Sequence, residues 1–190
     1  MYSIRELYRI GRGPSSSHTM GTANAALIFR QHFPEAQSFR IHLFGSLAAT
    51  GKGHLTDLAI QRSLAPLRVE FHWHAEEFLS FHPNGMRLQA VDLVGSMIGE
   101  WEVYSVGGGE LREKVATGWL PQTQHIYNHK SIKSILKHCS RSGQSLWEYV
   151  ESQEGDGVWS FLKDVWRAMQ SAIDRGLQEE GVLPGGLGLA

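Results

Sequence analysis

Three short polar segments contain the residues of this chain that are best suited to chemistry. The first, GRGPSSSHTMG at residues 11–21, places consecutive hydroxyls and an imidazole directly before an alanine-rich run. Free N–H groups at the start of a helix, and the positive end of its dipole, favour anions. We therefore expect a small carboxylate or phosphate to bind here, although an N-cap loop without a ligand has the same composition. The candidate binding residues are Ser15, Ser16, Ser17, His18 and Thr19.

The second segment, TGKGHLTD at residues 50–57, packs several reactive side chains between and after two glycines. Glycine permits unusual backbone angles and a close approach to a ligand. Lys52, His54 and Thr56 are therefore candidates for substrate contact or proton transfer. A solvated turn in which Asp57 caps a following helix is the simpler interpretation.

The third segment, FHPNGM, places His82 and Asn84 on either side of a proline that stiffens the chain. An imidazole and an amide held in this way can orient one small substrate. An ordinary hairpin turn at Asn84–Gly85 is the alternative, because Asn-Gly is a common hairpin signal.

Several other site types lack their signatures. The chain contains no G-x-x-x-x-G-K-[ST] phosphate loop and no G-x-S-x-G nucleophile elbow. His72 and His74 have the spacing of two residues on one strand face, but no third ligand lies near them, so we predict no metal site in this chain. The single cysteine, Cys139, excludes an intrachain disulfide and any cluster held by several thiolates of this chain alone.

Composition is that of an ordinary globular protein. Of the 190 residues, 42% are hydrophobic and 19% are charged, and the formal net charge is −1. This balance gives no basis for binding nucleic acid, and no apolar stretch approaches the roughly 20 residues that cross a membrane. The N-terminus does not have the continuous apolar segment of a signal peptide. We expect a reducing cytoplasm, where a lone cysteine is usual.

Hydrophobic periodicity predicts the elements that must position these segments. A helix is expected from Met20 to Phe33, where Pro34 ends it, and a second around Leu58–Arg62. Alternating apolar residues predict strands in SFRIHLFG, LRVEFHWH, GMRLQAVDLVGS and EWEVYSVGGG. The expected fold class is α+β, with an N-terminal mixed helix-and-strand sheet domain followed by a helical C-terminal third.

The C-terminal third predicts three helices, SIKSILKHCSRSG, SLWEYVESQEG and DGVWSFLKDVWRAMQSAIDRGLQEEG. In the last of these, apolar residues from Val158 to Leu177 form one stripe, Asp156 is the expected N-cap and Gly181 the expected stop. We predict one domain over residues 1–182. Residues 183–190 are glycine-rich and read as a linker toward a further domain.

Taken in order, the polar segments resemble the signatures of one enzyme family. IGRGPSSSHTMG, FGSLAATGKGHLTD, HPNGM and YSVGGG are similar to the successive motifs of the β domain of bacterial iron–sulfur L-serine dehydratases. GLQEEGVLPGGLGL resembles the segment that joins this β domain to the α domain. The stretch between the second and third motifs is shorter than the family pattern.

The resemblance implies deamination of L-serine to pyruvate and ammonia, with a 4Fe-4S cluster held by the α domain or subunit. Cys139 alone cannot bind such a cluster, so the chain is expected to be inactive without that partner. By the resemblance, His54 and His82 are the expected catalytic residues, which orient substrate or move protons. The implied substrate-binding residues are Ser15, Ser16, Ser17, His18, Thr19, Lys52, Thr56 and Asn84.

A module without catalytic activity is the alternative function. Such a module would bind serine or another small carboxylate for regulation or assembly, because the cluster ligands are absent from the chain. An apolar surface left by a missing domain would drive self-association, so a second copy of the chain is a further expected partner.

Overall fold

The computed structural model describes residues 1–121 and 123–182. Within them, the chain separates into two compact units. The sheet unit contains Gly11–Leu120, and the helical unit combines Met1–Ile10 with Pro121–Glu179. The α+β prediction is confirmed. The expected linker at 183–190 lies outside the described residues, and the predicted domain extent, 1–182, stays a prediction.

The sheet unit is a five-stranded mixed sheet with helices. Its strands have the order β2-β1-β3-β4-β5, in which β1 and β2 are parallel and the other neighbours are antiparallel. In chain order its elements are α1 (Thr22–His32), β1 (Ser38–Phe44), α2 (Gly45–Ala49), α3 (Thr56–Leu64), β2 (Arg68–His74), β3 (Gly85–Val91), β4 (Met97–Gly107) and β5 (Glu110–Arg112).

The four predicted strands are confirmed, because their period of two matches a sheet with one buried face. Phe39, Ile41 and Leu43 of β1 are fully buried, and Met86 and Leu88 of β3 are buried beside them. The same core contains residues of α1, α2 and α3. These helices therefore pack on one face of the sheet, while the alternate strand residues are polar.

Two turns differ from the expectations for ordinary loops. The alternative interpretation of Asn84–Gly85 as a hairpin turn is wrong, because β1 lies between β2 and β3 and Gly85 is already the first residue of β3. Asp57 lies in the first turn of α3, whose N-cap is Leu55, so Asp57 does not cap that helix. The connection from β1 to β2 runs through α2 and α3, as a parallel pair requires.

The helical unit contains α4 (Ile132–Ser142), α5 (Leu146–Glu154) and α6 (Gly157–Gln178), with a short 3-10 turn at Ile4–Glu6. Asp156 is the N-cap residue of α6, as predicted, although its side chain makes no capping hydrogen bond. The expected stop at Gly181 is wrong, because the helix ends at Gln178 and the chain is already extended at Glu179.

A buried carboxylate holds the N-terminal residues in the helical unit. The Glu154 side chain is 1% exposed and accepts hydrogen bonds from the Ser3 hydroxyl, the Ile4 amide and the Tyr127 hydroxyl at 2.6–2.7 Å. Burial opposes ionisation of Glu154, but these bonds and nearby Arg5 lower its pKa. This carboxylate therefore joins two parts of the chain that lie about 150 residues apart.

No helix among the described residues combines the length and the apolar character needed to cross a membrane.

Candidate active site

The first polar segment is an ordered turn. Ser16–Gly21 form one π-helical turn that continues into α1, and the Ser15 hydroxyl caps it by accepting from the His18 amide at 3.1 Å. The Thr19 hydroxyl donates to the His54 carbonyl at 2.8 Å and thereby joins this turn to the second segment. The helix predicted after the segment is confirmed, whereas the π turn was not expected. Such turns are frequent at functional sites.

His18 lies at the centre of the site and is only 8% exposed. Its Nε2 lies 3.1 Å from the Ser46 carbonyl, and its Nδ1 lies 3.0 Å from the Ser17 hydroxyl. A carbonyl only accepts, so Nε2 carries the proton, and in the neutral ring Nδ1 accepts from Ser17. Burial lowers the pKa of His18 below 6.5; the Ser46 carbonyl opposes this shift, and nearby His54 adds to it. With His18 neutral, the Ser17 hydroxyl donates to Nδ1, and its oxygen accepts from the Ser15 hydroxyl at 3.5 Å and keeps a second lone pair for a ligand.

His54 lies beside His18, with 4.7 Å between the ring centroids. Its Nδ1 lies 3.0 Å from the Thr50 carbonyl, so this nitrogen donates, and Nε2 of the neutral ring keeps its lone pair. Leu55, the next residue, has a left-handed backbone with φ of 56°. A non-glycine residue rarely adopts this conformation, and such strain occurs at positions where geometry is constrained. The backbone around His54 is thus held in a defined turn.

The third segment is joined to α2, just before the second segment, by a backbone hydrogen bond from the Ser46 amide to the Pro83 carbonyl at 3.1 Å. The backbone N–H of Asn84 donates to His82 Nδ1 at 3.1 Å, so Nε2 of the neutral His82 ring carries the proton. His82 therefore offers a donor where His54 offers an acceptor. The two half-buried imidazoles have opposite tautomers.

The fourth motif enters the site through Ser105 on β4. Ser105 is fully buried, its amide donates to the Asn84 carbonyl at 3.0 Å, and its own carbonyl accepts from Asn84 Nδ2 at 3.1 Å. The Ser105 hydroxyl has no hydrogen-bond partner within the described part of the chain. It faces Gly21, where an added Cβ would lie 2.2 Å from this oxygen. Only glycine permits this contact.

Other predicted site residues have supporting or separate positions. Thr56 is fully buried, and its hydroxyl donates to the His18 carbonyl at 2.8 Å, so it fixes the first segment. The Lys52 ammonium lies 5.6 Å from the centre of the Trp73 ring. Ser16 is exposed on the π turn. The substrate contacts assigned to Thr56, Lys52 and Ser16 stay predictions.

Sequence reasoning missed three residues that organise the site. Ser46 and Thr50 supply the carbonyls that fix the tautomers of His18 and His54, and Ser105 contacts the π turn. All three lie inside the quoted motifs, and this position is the one signal that could have identified them. A backbone carbonyl is common to every residue type, so its role cannot be deduced from composition.

A second group of histidines lies on the polar face of the sheet. His42 Nδ1 is 3.0 Å from His74 Nε2, and the His42 and His72 rings stack at 4.5 Å. The shared face predicted for His72 and His74 is confirmed, with His42 as an added member. Across residues 1–121 and 123–182, no three His, Cys, Asp or Glu side chains are placed to hold a metal ion.

Comparison with known proteins identifies the family. The family model described as "Serine dehydratase beta chain" matches residues 3–70 and 66–116, which include all four motifs. The chain belongs to the serine dehydratase beta-chain family. The two parts of the match overlap at residues 66–70, between the second and third motifs.

Curated relatives show the same relationship over a longer range. L-serine dehydratase of Haemophilus influenzae is 31% identical over 238 aligned positions, which include 98% of this chain and 52% of the relative. L-serine dehydratase of Streptomyces coelicolor is 32% identical, with 97% and 52% covered, and L-serine dehydratase 2 of Escherichia coli is 31% identical, with 98% and 51% covered. The chain spans about half the length of these serine dehydratases.

Proposed function

We propose that this chain is the β part of an L-serine dehydratase and contributes substrate-pocket residues to a cluster-bearing α domain or subunit. The overall reaction removes the α proton and the β hydroxyl of L-serine, and the resulting aminoacrylate hydrolyses to pyruvate and ammonia. One observation carries the proposal: hydrogen bonds through His18 and Ser46 join the first three family motifs, Ser105 joins the fourth motif to the third, and the motifs carry hydroxyls and imidazoles of defined tautomer.

His54 and His82 have complementary roles in this proposal. His54 Nε2, the nitrogen left without a proton, accepts the α proton of L-serine. His82 Nε2–H donates a hydrogen bond to an oxygen of the substrate. The Thr50 carbonyl holds the His54 ring and the backbone N–H of Asn84 holds the His82 ring in these tautomers, so neither ring must change tautomer before it acts.

Ser17 and Asn84 bind the substrate's charged groups. Ser17 donates its proton to His18, so it offers lone pairs and suits the ammonium group. One N–H of Asn84 is used by the Ser105 carbonyl, and the other suits the carboxylate. The amide groups at the start of the π turn add the positive end of a helix dipole, which also favours the carboxylate.

The described residues do not fit a 4Fe-4S cluster. Such clusters are held by several thiolates, and the chain has one cysteine, which is buried in the helical unit. Loss of the β hydroxyl is difficult unless its developing charge is stabilised. We assign that part of the reaction, and its cofactor, to the α part. A reducing cytoplasm is the compartment proposed for such an enzyme.

Reconstitution tests the proposed function. The chain is combined anaerobically with the α part encoded in the same genome, and pyruvate is followed during incubation with L-serine. We expect activity in the pair, and a loss of about 10²-fold or more when His54→Ala and His82→Ala are combined. His125→Gln, which changes an exposed histidine of the helical unit, is the matched control and should retain activity. Full activity of the double variant contradicts the proposal.

A serine-binding module without catalysis is the second candidate, and the single buried cysteine favours it. Calorimetry of the isolated chain with L-serine distinguishes the two functions. Tight binding without the α part, together with an inactive reconstituted pair, supports the module. Pyruvate formation by the pair supports the enzyme.

A further inference from the structure

The helical unit has a small core for three helices. Its core cluster contains four buried residues, Tyr127, Ile135, Cys139 and Tyr149. In α6, a helix of 22 residues, only Val158 and Val165 are buried. A helix of this length normally buries a continuous apolar stripe, because its stability in a protein depends on packing that stripe. Most of the apolar surface of α6 therefore lacks a partner among the described residues.

The exposed large apolar residues of α6 form one surface, which we call the α6 stripe. Trp166 and Ile173 are each 56% exposed and Leu177 is 82% exposed. Their separations of seven and four residues place them on one side of the helix. The α6 stripe consists of Trp159, Trp166, Met169, Ile173 and Leu177.

The α6 stripe is large for a surface that faces water. If each of five side chains exposes about half of roughly 200 Å², the stripe presents on the order of 500 Å² of apolar surface. One partner of a stable complex contributes about 800 Å² in total. Exposed tryptophan is also enriched among residues that dominate binding energy. The stripe thus has the size and composition of the centre of an interface.

The relatives extend well beyond the part that matches this chain. The beta-chain family match ends at residue 116, so α4, α5 and α6 lie beyond it. The relatives nevertheless align with 97–98% of this chain, which includes α6, and about half of each relative's length lies outside the alignment. In those relatives the residues that correspond to α6 belong to a polypeptide with a second, unmatched half.

We propose that the α6 stripe is the surface on which the α part of the serine dehydratase docks. The stripe buries Trp166 and Ile173 against an apolar face of that polypeptide, and the helical unit gains the core that its own residues do not supply. The proposal rests on the proposed function for the identity of the partner. It does not rest on L-serine as the substrate.

The experiment measures assembly without measuring catalysis. The full chain and the α part from the same genome are mixed, and the complex is followed by analytical ultracentrifugation and tryptophan emission. The stripe variant combines Trp166→Glu with Ile173→Glu. The matched control combines Ser160→Glu with Ser171→Glu, which place the same charges on the opposite, exposed side of α6. Circular dichroism verifies that both variants keep their helices, and the single variant Leu177→Lys provides a milder change.

We expect the wild type and the serine control to form the complex, with tryptophan emission shifted to shorter wavelength. The stripe variant should bind at least about 30-fold more weakly, the effect of losing interface hot spots. Equal affinity of the stripe variant and the control overturns the inference, as does failure of the two wild-type polypeptides to associate. A homodimer of the chain that uses the stripe and persists when the α part is added also overturns it. A complex that depends on the stripe but forms no pyruvate supports the inference and contradicts the proposed function.

Discussion

Replacement of Gly21 by alanine tests whether the first and fourth motifs truly meet. Gly21 has helical backbone angles, with φ of −60° and ψ of −45°, and helix propensity alone predicts that alanine stabilises it by about 1 kcal/mol. The structure predicts the opposite sign. An alanine Cβ would lie 2.2 Å from the Ser105 hydroxyl oxygen and 3.0 Å from the Ser105 Cβ.

The magnitude follows from the required displacement. Non-bonded carbons pack best at about 3.5–4.0 Å, so Gly21→Ala must separate the π turn from β4 by roughly 1 Å. Overpacking of this kind costs about 1–3 kcal/mol. We therefore expect the free energy of unfolding, measured by urea titration with circular dichroism, to fall by about 1–3 kcal/mol. For a chain of this size the melting temperature falls by about 2–4 °C per kcal/mol.

Two further variants identify the cause of this loss. Ser105→Gly removes the two atoms closest to the new Cβ and leaves the Ser16 carbonyl oxygen at 3.5 Å, an ordinary contact, so in that background Gly21→Ala should cost less than about 0.5 kcal/mol or be stabilising. Gly176 is the control, because an added Cβ in this helical position has open space around it. Gly176→Ala should stabilise by about 0.5–1 kcal/mol. A Gly21→Ala variant at least as stable as the wild type, or no rescue by Ser105→Gly, would refute the packing of the π turn on β4.

Three other perturbations test separate parts of the structure. Glu154→Gln should loosen the N-terminal segment, because the glutamine amide has one accepting oxygen, whereas the carboxylate has two, which accept from the Ser3 and Tyr127 hydroxyls. Hydrogen exchange of the backbone amides near the N-terminus should become at least tenfold faster. Unchanged exchange would contradict the role of Glu154 in anchoring this segment. Burial and nearby imidazoles lower the pKa of His42, so the unfolded chain binds more protons than the folded chain, and the free energy of unfolding should fall as pH decreases from about 6.5 through the lowered pKa. Urea titrations at several pH values should show that the free energy of unfolding depends less steeply on pH in His42→Asn than in the wild type. An equal pH dependence in both proteins would exclude His42 as a cause. Leu55→Gly should relieve the strain of the left-handed backbone at this position, and this gain should offset much of the usual entropic cost of introducing glycine. The free energy of unfolding should therefore stay within about 1 kcal/mol of the wild type. A larger loss would show that contacts of the leucine side chain outweigh the strain of its backbone.

Local patterns predicted the strands and most helices, because burial on one face imposes a period of two or of 3.6 residues. The strand SFRIHLFG, for example, alternates in the structure as it does in the sequence. Partnership between distant residues was not predictable in this way. The bonds of Glu154 join positions about 150 residues apart, and no periodicity reports them.

The candidate site shows the same limit. The types of its residues indicate a polar pocket for a small anion, but each segment alone also fits an ordinary turn, which is the simpler interpretation of the second and third segments. The motifs meet because β1 lies beside β3 in the sheet, which brings Ser46, two residues after β1, next to Pro83, two residues before β3. The resemblance to a family supplied this grouping, whereas the tautomers of His18, His54 and His82 required the hydrogen bonds of the structure.

The central claim is that His54 Nε2 accepts the α proton of L-serine. The most direct measurement is kcat of the reconstituted enzyme at saturating L-serine for His54→Gly, with and without added imidazole. We predict a fall of about 10²–10⁴ in kcat, and partial recovery with imidazole, because a free base can occupy the space of the missing ring. A kcat within threefold of the wild type, or a loss that imidazole leaves unchanged while the variant remains folded, would contradict the claim.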